Sequence, residues 1–248
     1  MRQILTAVSF IALCLPIAIG TANAQTQQNP VIIELFTSQG CSSCPAADRL
    51  LGKLVNEVTS EGSPVYALSF HVNYWDYLGW KDPYSTEEFT NRQRYYASAF
   101  GESSVYTPQL VINGKQHLVG SNEAGIRQAI DKQLKTSRDF TISIAKVTSG
   151  DDAISLDFRS TGNENHVVQV AIVEGERQNF VPRGENKGRE LHHYRVVRGL
   201  HTYAHTTAGR VDIALPDSVD LSHASIIVFL QDKRSWEILA ADQWAPEG

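Results

Sequence analysis

Cysteine is scarce in this chain: three in 248 residues. One of them, Cys14, lies in an apolar stretch close to the first residue, so two remain for the body of the protein, Cys41 and Cys44. That scarcity excludes the disulfide frameworks of small secreted domains, which use several pairs at wide spacings. It also leaves a zinc site incomplete, because a lone Cys-x-x-Cys needs a second cysteine pair or paired histidines. Long basic runs are missing as well. With 22 basic against 27 acidic residues and a formal charge of −5, the chain gives no support to nucleic-acid binding or to docking on an anionic membrane. Beyond the first apolar stretch there is no run of the roughly 20 residues needed to span a bilayer, so no membrane insertion is expected of the mature product. Internal repeats and low-complexity tracts are absent too.

The first 24 residues read as a leader. Arg2 provides a short positive start, Ile4 to Ile19 is mostly apolar, and Ala22-Asn23-Ala24 supplies the small-x-small pattern that precedes cleavage. The apolar stretch is short for a membrane anchor, which is the competing interpretation. The expected mature product starts at Gln25 and is secreted, into the periplasm if the cell is Gram-negative. Its only possible intramolecular pair, Cys41–Cys44, closes too small a loop to restrain the unfolded chain much. A pair that adds so little stability points to chemistry instead.

Residues 31–37, VIIELFT, read as a buried strand. Beyond Pro45, Leu50, Leu51, Leu54 and Val58 recur at helical steps, and Pro45 suits a first turn where its missing N–H costs nothing. Residues 64–70 predict a second strand, residues 71–84 no regular element, and residues 85–100 a helix. "YTPQLVING" predicts a strand at 109–112 with an Asn113-Gly114 hairpin turn into 116–119, and Ser121 reads as the N-cap of a helix to Leu134. From 138 onward, short alternating runs at 140–147, 153–159, 166–173, 190–198, 209–214, 225–230 and 236–241 predict an all-β region.

Cys41 and Cys44 fall at the strand-to-helix junction. There the helix amides and macrodipole favour a thiolate on Cys41, and such motifs lower a thiol pKa from about 8.5 into the range ~3.5–7.5. Cys44, one turn along, is placed to resolve a mixed disulfide. No Lys, Arg or His lies within Gly40–Ala47, so activation has to come from the helix and the surrounding fold. Half of a zinc site and an inert buried pair remain open as alternatives; His201 and His205 would serve a metal only from a helix.

The order of strand, CxxC-Pro helix, strand, helix, Thr-Pro strand, hairpin and helix resembles the thioredoxin-like superfamily. That resemblance implies that Pro108, in Thr107-Pro108-Gln109-Leu110, is a cis-proline opposite the cysteines. More narrowly, "ELFTSQGCSSCPAAD", "HVNYWDYLGWKDPYS", "YTPQLVING" and "RGENKGRELHHYRVVR" resemble a family of exported bacterial proteins catalogued as domain of unknown function 1223, a name that carries no activity. Thioredoxins place a buried acid six residues before the first cysteine; that position here is Leu35, with Glu34 one step earlier. Glu34 is therefore the candidate proton acceptor for Cys44. The dipeptide between the cysteines is Ser42-Ser43, so redox poise cannot be carried over.

The expected fold is an α/β thioredoxin-like domain at 25–137, with an aromatic-rich insert at about 71–106, followed by an all-β, sandwich-like domain at 138–248. Residues 66–106 hold 12 of the 22 aromatics. Such a concentration makes either an extra core layer or a rim in which Trp75, Trp80 and Thr107 recognise an unfolded or peptide segment. His71 ends the second strand and could approach the cysteines, while His192 and His193 must face opposite ways on a strand. The functional expectation is an exported thiol–disulfide oxidoreductase or thiol-redox protein. It would need no cofactor and no metal, and would act on protein thiols and disulfides or on a small thiol. The competing expectations are a non-catalytic peptide- or partner-binding module on the same scaffold and a thiol-based copper chaperone.

Overall fold

Val31–Thr37 forms strand β1, buried at every position, as its mostly apolar run, broken by Glu34, suits a strand covered on both faces. Helix α1 (Cys44–Ser60) follows, with Pro45 in its first turn, then β2 (Val65–His71), parallel to β1 from Val31↔Val65 to Thr37↔His71. The computed structural model describes residues 29–150, 153–216 and 219–246. The expected leader, and Cys14 within it, lie outside the described residues. Among those residues no helix is long and apolar enough to cross a membrane.

The stretch without a regular pattern holds a 3-10 turn at Asn73–Leu78, closed by Gly79 at φ +88°. Helix α2 (Glu87–Phe100) starts at Thr86, whose hydroxyl accepts the Phe89 N–H. Strands β3 (Gln109–Ile112) and β4 (Gln116–Val119) form the expected hairpin, with Asn113 and Gly114 at φ 49° and 66°. Helix α3 (Glu123–Leu134) is capped by Asn122, which accepts the Gly125 N–H, and not by Ser121 as expected. Asn and Ser are comparable caps, so sequence alone leaves that choice open by one residue.

The remaining strands are β5 (Ile142–Ser149), β6 (Ala153–Ser160), β7 (His166–Val181), β8 (Arg189–Ala204), β9 (Ala208–Ala214), β10 (Ala224–Asp232) and β11 (Ile238–Trp244). Their pairing overturns the expected fold class of a thioredoxin-like α/β domain followed by a separate sandwich-like one. The structure is mostly strand and is built on one mixed eight-stranded sheet in the order β11-β10-β7-β8-β2-β1-β3-β4. Strands from either side of residue 138 share it, joined where β8 lies parallel to β2 at Ser69↔Val196. A smaller sheet, β5-β6-β9, packs Ile154, Leu156 and Phe158 against Val170, Ile172 and Val228. The physical reason is that β2 would otherwise present an unpaired edge. Short alternating strands look the same in sequence whether they close their own sandwich or extend a neighbour's sheet.

Side-chain alternation divides the sheet faces. Val31, Ile33 and Leu35 meet Leu50, Leu51 and Leu54 of α1 and Ile126 and Ile130 of α3. Ile32 and Phe36 point the other way, into a cluster with Phe70, Phe89 and Tyr96 that continues into Val173, Val197 and Phe229. One apolar core therefore spans both halves of the sequence.

Candidate functional site

Ser38 to Ser43 form the turn between β1 and α1, and Cys41 and Cys44 are joined there in a disulfide with their Cα atoms 5.4 Å apart. Cys44 opens the helix, with Ser43 at the N-cap and Pro45 behind it. Gly40 is required at this point: a Cβ there would lie 2.8 Å from Trp75 Cβ. Trp75 thus packs on the turn, and its Nε1 donates to Thr107 Oγ1 at 2.8 Å. The Thr107–Pro108 peptide is cis. Pro108 and Ala47, in the first turns of α1, both press on Gly120. Trp80 reaches the same turn from further along the insert, donating to Gln39 Oε1 at 2.8 Å. Trp75 and Trp80 therefore contact the cysteine turn, Thr107 is tied to it through Trp75, and Pro108 lies beside Gly120, next to the first turn of α1.

Glu34 is not brought there. Its neighbours Ile33 and Leu35 face α1, so strand alternation sends Glu34 to the opposite face. In that position it pairs with buried Arg92 at 2.6 Å. The Arg92 guanidinium also lies 5.2–5.6 Å from the ring centroids of Phe70, Tyr96, Phe229 and Trp236, close enough for cation–π attraction. Burial disfavours the Arg92 charge, but Glu34, Tyr96 and Glu88 together outweigh it and the net shift is upward. The surroundings of Glu34 support holding a cation in the core, not taking a proton from Cys44. The one-residue offset from the superfamily's acid position is not absorbed.

A buried polar network lies next to the turn. Asp82 accepts from the Gln39 N–H at 2.8 Å, the Tyr84 N–H at 3.0 Å and His71 Nδ1 at 2.7 Å. Burial opposes both charges of the His71–Asp82 pair. Their mutual attraction outweighs it with the help of Asp48 and Asp76 for His71 and of the Gln39 and Tyr84 N–H groups for Asp82, so His71 is shifted up and Asp82 down. Next to His71, with ring centroids 4.7 Å apart, is His193, whose Nε2 is 3.2 Å from Gln39 Nε2. His193 Nδ1 is 3.5 Å from the Asp48 carboxylate, and neither oxygen of Asp48 has a hydrogen-bond partner. Asp48 stands four residues after Cys44 and so on the same helix face. His71 is thus committed to Asp82, not to a sulfur. His193 is buried while His192 is exposed and lies 3.0 Å from Glu176, so the two face opposite ways.

The tip of the β7–β8 hairpin closes over the turn. Asn186 donates to the carbonyls of Gln39 and Cys41 at 3.0 and 2.9 Å, and Glu185 accepts the Ser42 N–H at 2.9 Å. Under this cover Cys41 and Cys44 are 1% and 0% exposed. Gln39, Asp48, Asp82, Asn186 and His193 were not singled out from sequence as site residues. For Asp48 the helical step from Cys44 was a usable signal; the others arrive through pairings that no local pattern carries. Among the described residues no cluster of three or more His, Cys, Asp or Glu is placed to hold a metal. His201 lies in strand β8 and His205 just beyond it, not on a helix.

The family model described as "Protein of unknown function (DUF1223)" matches residues 32–231, and the chain belongs to that family. A crystal structure of an Agrobacterium tumefaciens protein is similar at 30% identity and a TM-score of 0.63, covering 89% of this chain and 96% of that one. A domain of the outer membrane lipoprotein Omp28 from Porphyromonas gingivalis is 14% identical, with a TM-score of 0.30 over 44% of this chain and 89% of that one, a likeness that carries no argument. No protein of curated function matches.

Proposed function

We propose that this member of a family without an assigned activity is an exported thiol–disulfide exchange protein. The observation that carries the proposal is the Cys41–Cys44 disulfide at the mouth of α1, with Trp75 and Trp80 on the same turn and Thr107 bonded to Trp75. In the reduced protein Cys41 attacks a partner disulfide, and Cys44, at the first position of the helix, attacks Cys41 to release the partner. The partner is a protein disulfide or a small one. Thr107, Trp75 and Trp80 line its approach, and the location is periplasmic if the cell is Gram-negative. Catalytic reduction of a disulfide-bonded model protein tests the reading. Wild type should turn over many equivalents in the presence of a dithiol reductant, and Cys41→Ala should lose all turnover above background. Equal rates for the two would remove the reading.

One observation favours a second reading. Both sulfurs are buried, which suits a non-catalytic module that binds a peptide or partner protein and keeps a static disulfide. That module predicts partner binding insensitive to reductant and to loss of either cysteine.

A further inference from the structure

The cover over the disulfide is chemically directed. Asn186 is fully buried. Its amide nitrogen is shared between the Gln39 and Cys41 carbonyls, and its Oδ1 accepts from Arg189 at 3.1 Å. Gly184 and Gly188, at φ +80° and +78°, let the chain turn sharply enough to aim it there. Beside it Glu185 is solvent-exposed, yet bonded to Ser42. The Ser42 hydroxyl, and then its amide, hold the Glu185 carboxyl below the usual range.

A helix start normally offers free amides to an anion. Here Glu185 takes the N–H of Ser42, just ahead of the helix, and the Cys41 carbonyl takes the first helix amide, the Cys44 N–H, at 3.2 Å. The contact left to Cys41 Sγ is the Ser43 hydroxyl at 3.3 Å. A carboxylate anchored one peptide unit from Cys41 also disfavours a second negative charge there. Both effects weaken the thiolate, and with it the reduced form, relative to the disulfide.

We propose, resting on the exchange reading above, that Glu185 and Asn186 are positioning residues that poise the Cys41–Cys44 couple toward the disulfide, so that the reduced protein donates electrons to partner disulfides. The Cys41 thiolate attacks the partner's S–S bond, a Cys41–partner disulfide forms, and one partner sulfur leaves as a thiolate that takes a proton from solvent. Cys44 then loses its proton to solvent, attacks Cys41 Sγ and expels the second partner thiolate. Two electrons pass from the cysteine pair to the partner, and a dithiol reductant restores the pair. Because Glu185 and a Cys41 charge compete, linkage requires that reduction loosen the hairpin tip.

The other titratable and charged groups around the pair are Asp48 and Arg49 on α1, His193 and Tyr194 on β8, and His71 and Asp82 behind Gln39. Arg183, Lys187 and Arg189 stand on the tip itself, and Glu190 and His192 follow it beside Pro45 and Arg49. Glu185→Gln alters none of these. The test equilibrates the full chain with glutathione buffers and measures the thiol–disulfide equilibrium together with the pH profile of Cys41 alkylation. Glu185→Gln should move the equilibrium about threefold toward the dithiol, the modest size expected of an exposed charge. It should also lower the alkylation midpoint. Asn186→Ala should shift both in the same direction, and Glu185→Asp should restore wild-type values. Amide exchange at residues 184–188 should be faster in reduced than in oxidised wild type. A Glu185→Gln couple indistinguishable from wild type, or shifted toward the disulfide, overturns this inference and leaves the exchange reading intact. A wild-type pair that cannot be reduced and reoxidised reversibly removes both.

Discussion

Asp82 accepts hydrogen bonds from Gln39, Tyr84 and His71 at a site that is 1% exposed, and it ties the aromatic insert to the cysteine turn. Replacing one member of a buried charged pair costs about 3–5 kcal/mol, because the partner is left uncompensated. Asp82→Asn should therefore destabilise the protein by about 3 kcal/mol, measured by urea unfolding. The sign of the pH dependence follows from the two shifts. Asp82 is lowered in the folded state, so its contribution is present above the unfolded value of about 3.9 and is lost as pH falls through the folded value. His71 is raised, so its contribution is full below about 6.5 and is lost as pH rises through the folded value. The gap between wild type and variant should be widest between about pH 4 and 6.5 and narrow on either side. A gap independent of pH would show that the pair is not ionised. At this scale local motifs singled out the cysteines, Pro108 and the two tryptophans as candidates. They could not place Glu34, since only the sheet shows which face a strand residue takes.

Among the elements, β1, α1, β2, α2 and the β3–β4 hairpin were all legible, because each carries its own periodicity or turn residues. What the elements pair with was not. The run at 190–198 reads as a strand but says nothing of β2, its neighbour in the sheet, and β7 and β8 extend well past their apolar runs to build the hairpin that covers the cysteines. A consequence can be checked. A fragment of residues 25–137 keeps α1, α2 and α3 but leaves β2 unpaired on one side and exposes Phe70, Phe36 and Tyr96, which pack with Val173, Val197 and Phe229 in the full chain. It should unfold without a cooperative transition in circular dichroism and should bind hydrophobic dyes. A sharp transition comparable to that of the full chain would mean that β1–β2–β3–β4 with its helices is self-sufficient, and that the shared core is only a contact between independent units.

At the scale of the whole molecule, the chain carries 27 acidic against 22 basic residues, a balance without an excess of either sign large enough to mark a site. The chemistry instead concentrates where the sheet, α1, the insert and the β7–β8 hairpin meet around a single disulfide. The proposed exchange divides its labour between the two sulfurs, and one measurement addresses that division directly. Cys44→Ala removes only the step that releases the partner, so this variant, expressed in its native cell, should accumulate a covalent complex with partner proteins. The complex should be visible on a non-reducing gel and dispersed by dithiothreitol. Cys41→Ala should give none, although Cys44 remains, because Cys44 lies inside the first turn of α1 whereas Cys41 stands ahead of it on the turn. Equal trapping by the two variants, or no complex with Cys44→Ala, would contradict the assignment of Cys41 as nucleophile and Cys44 as the resolving thiol.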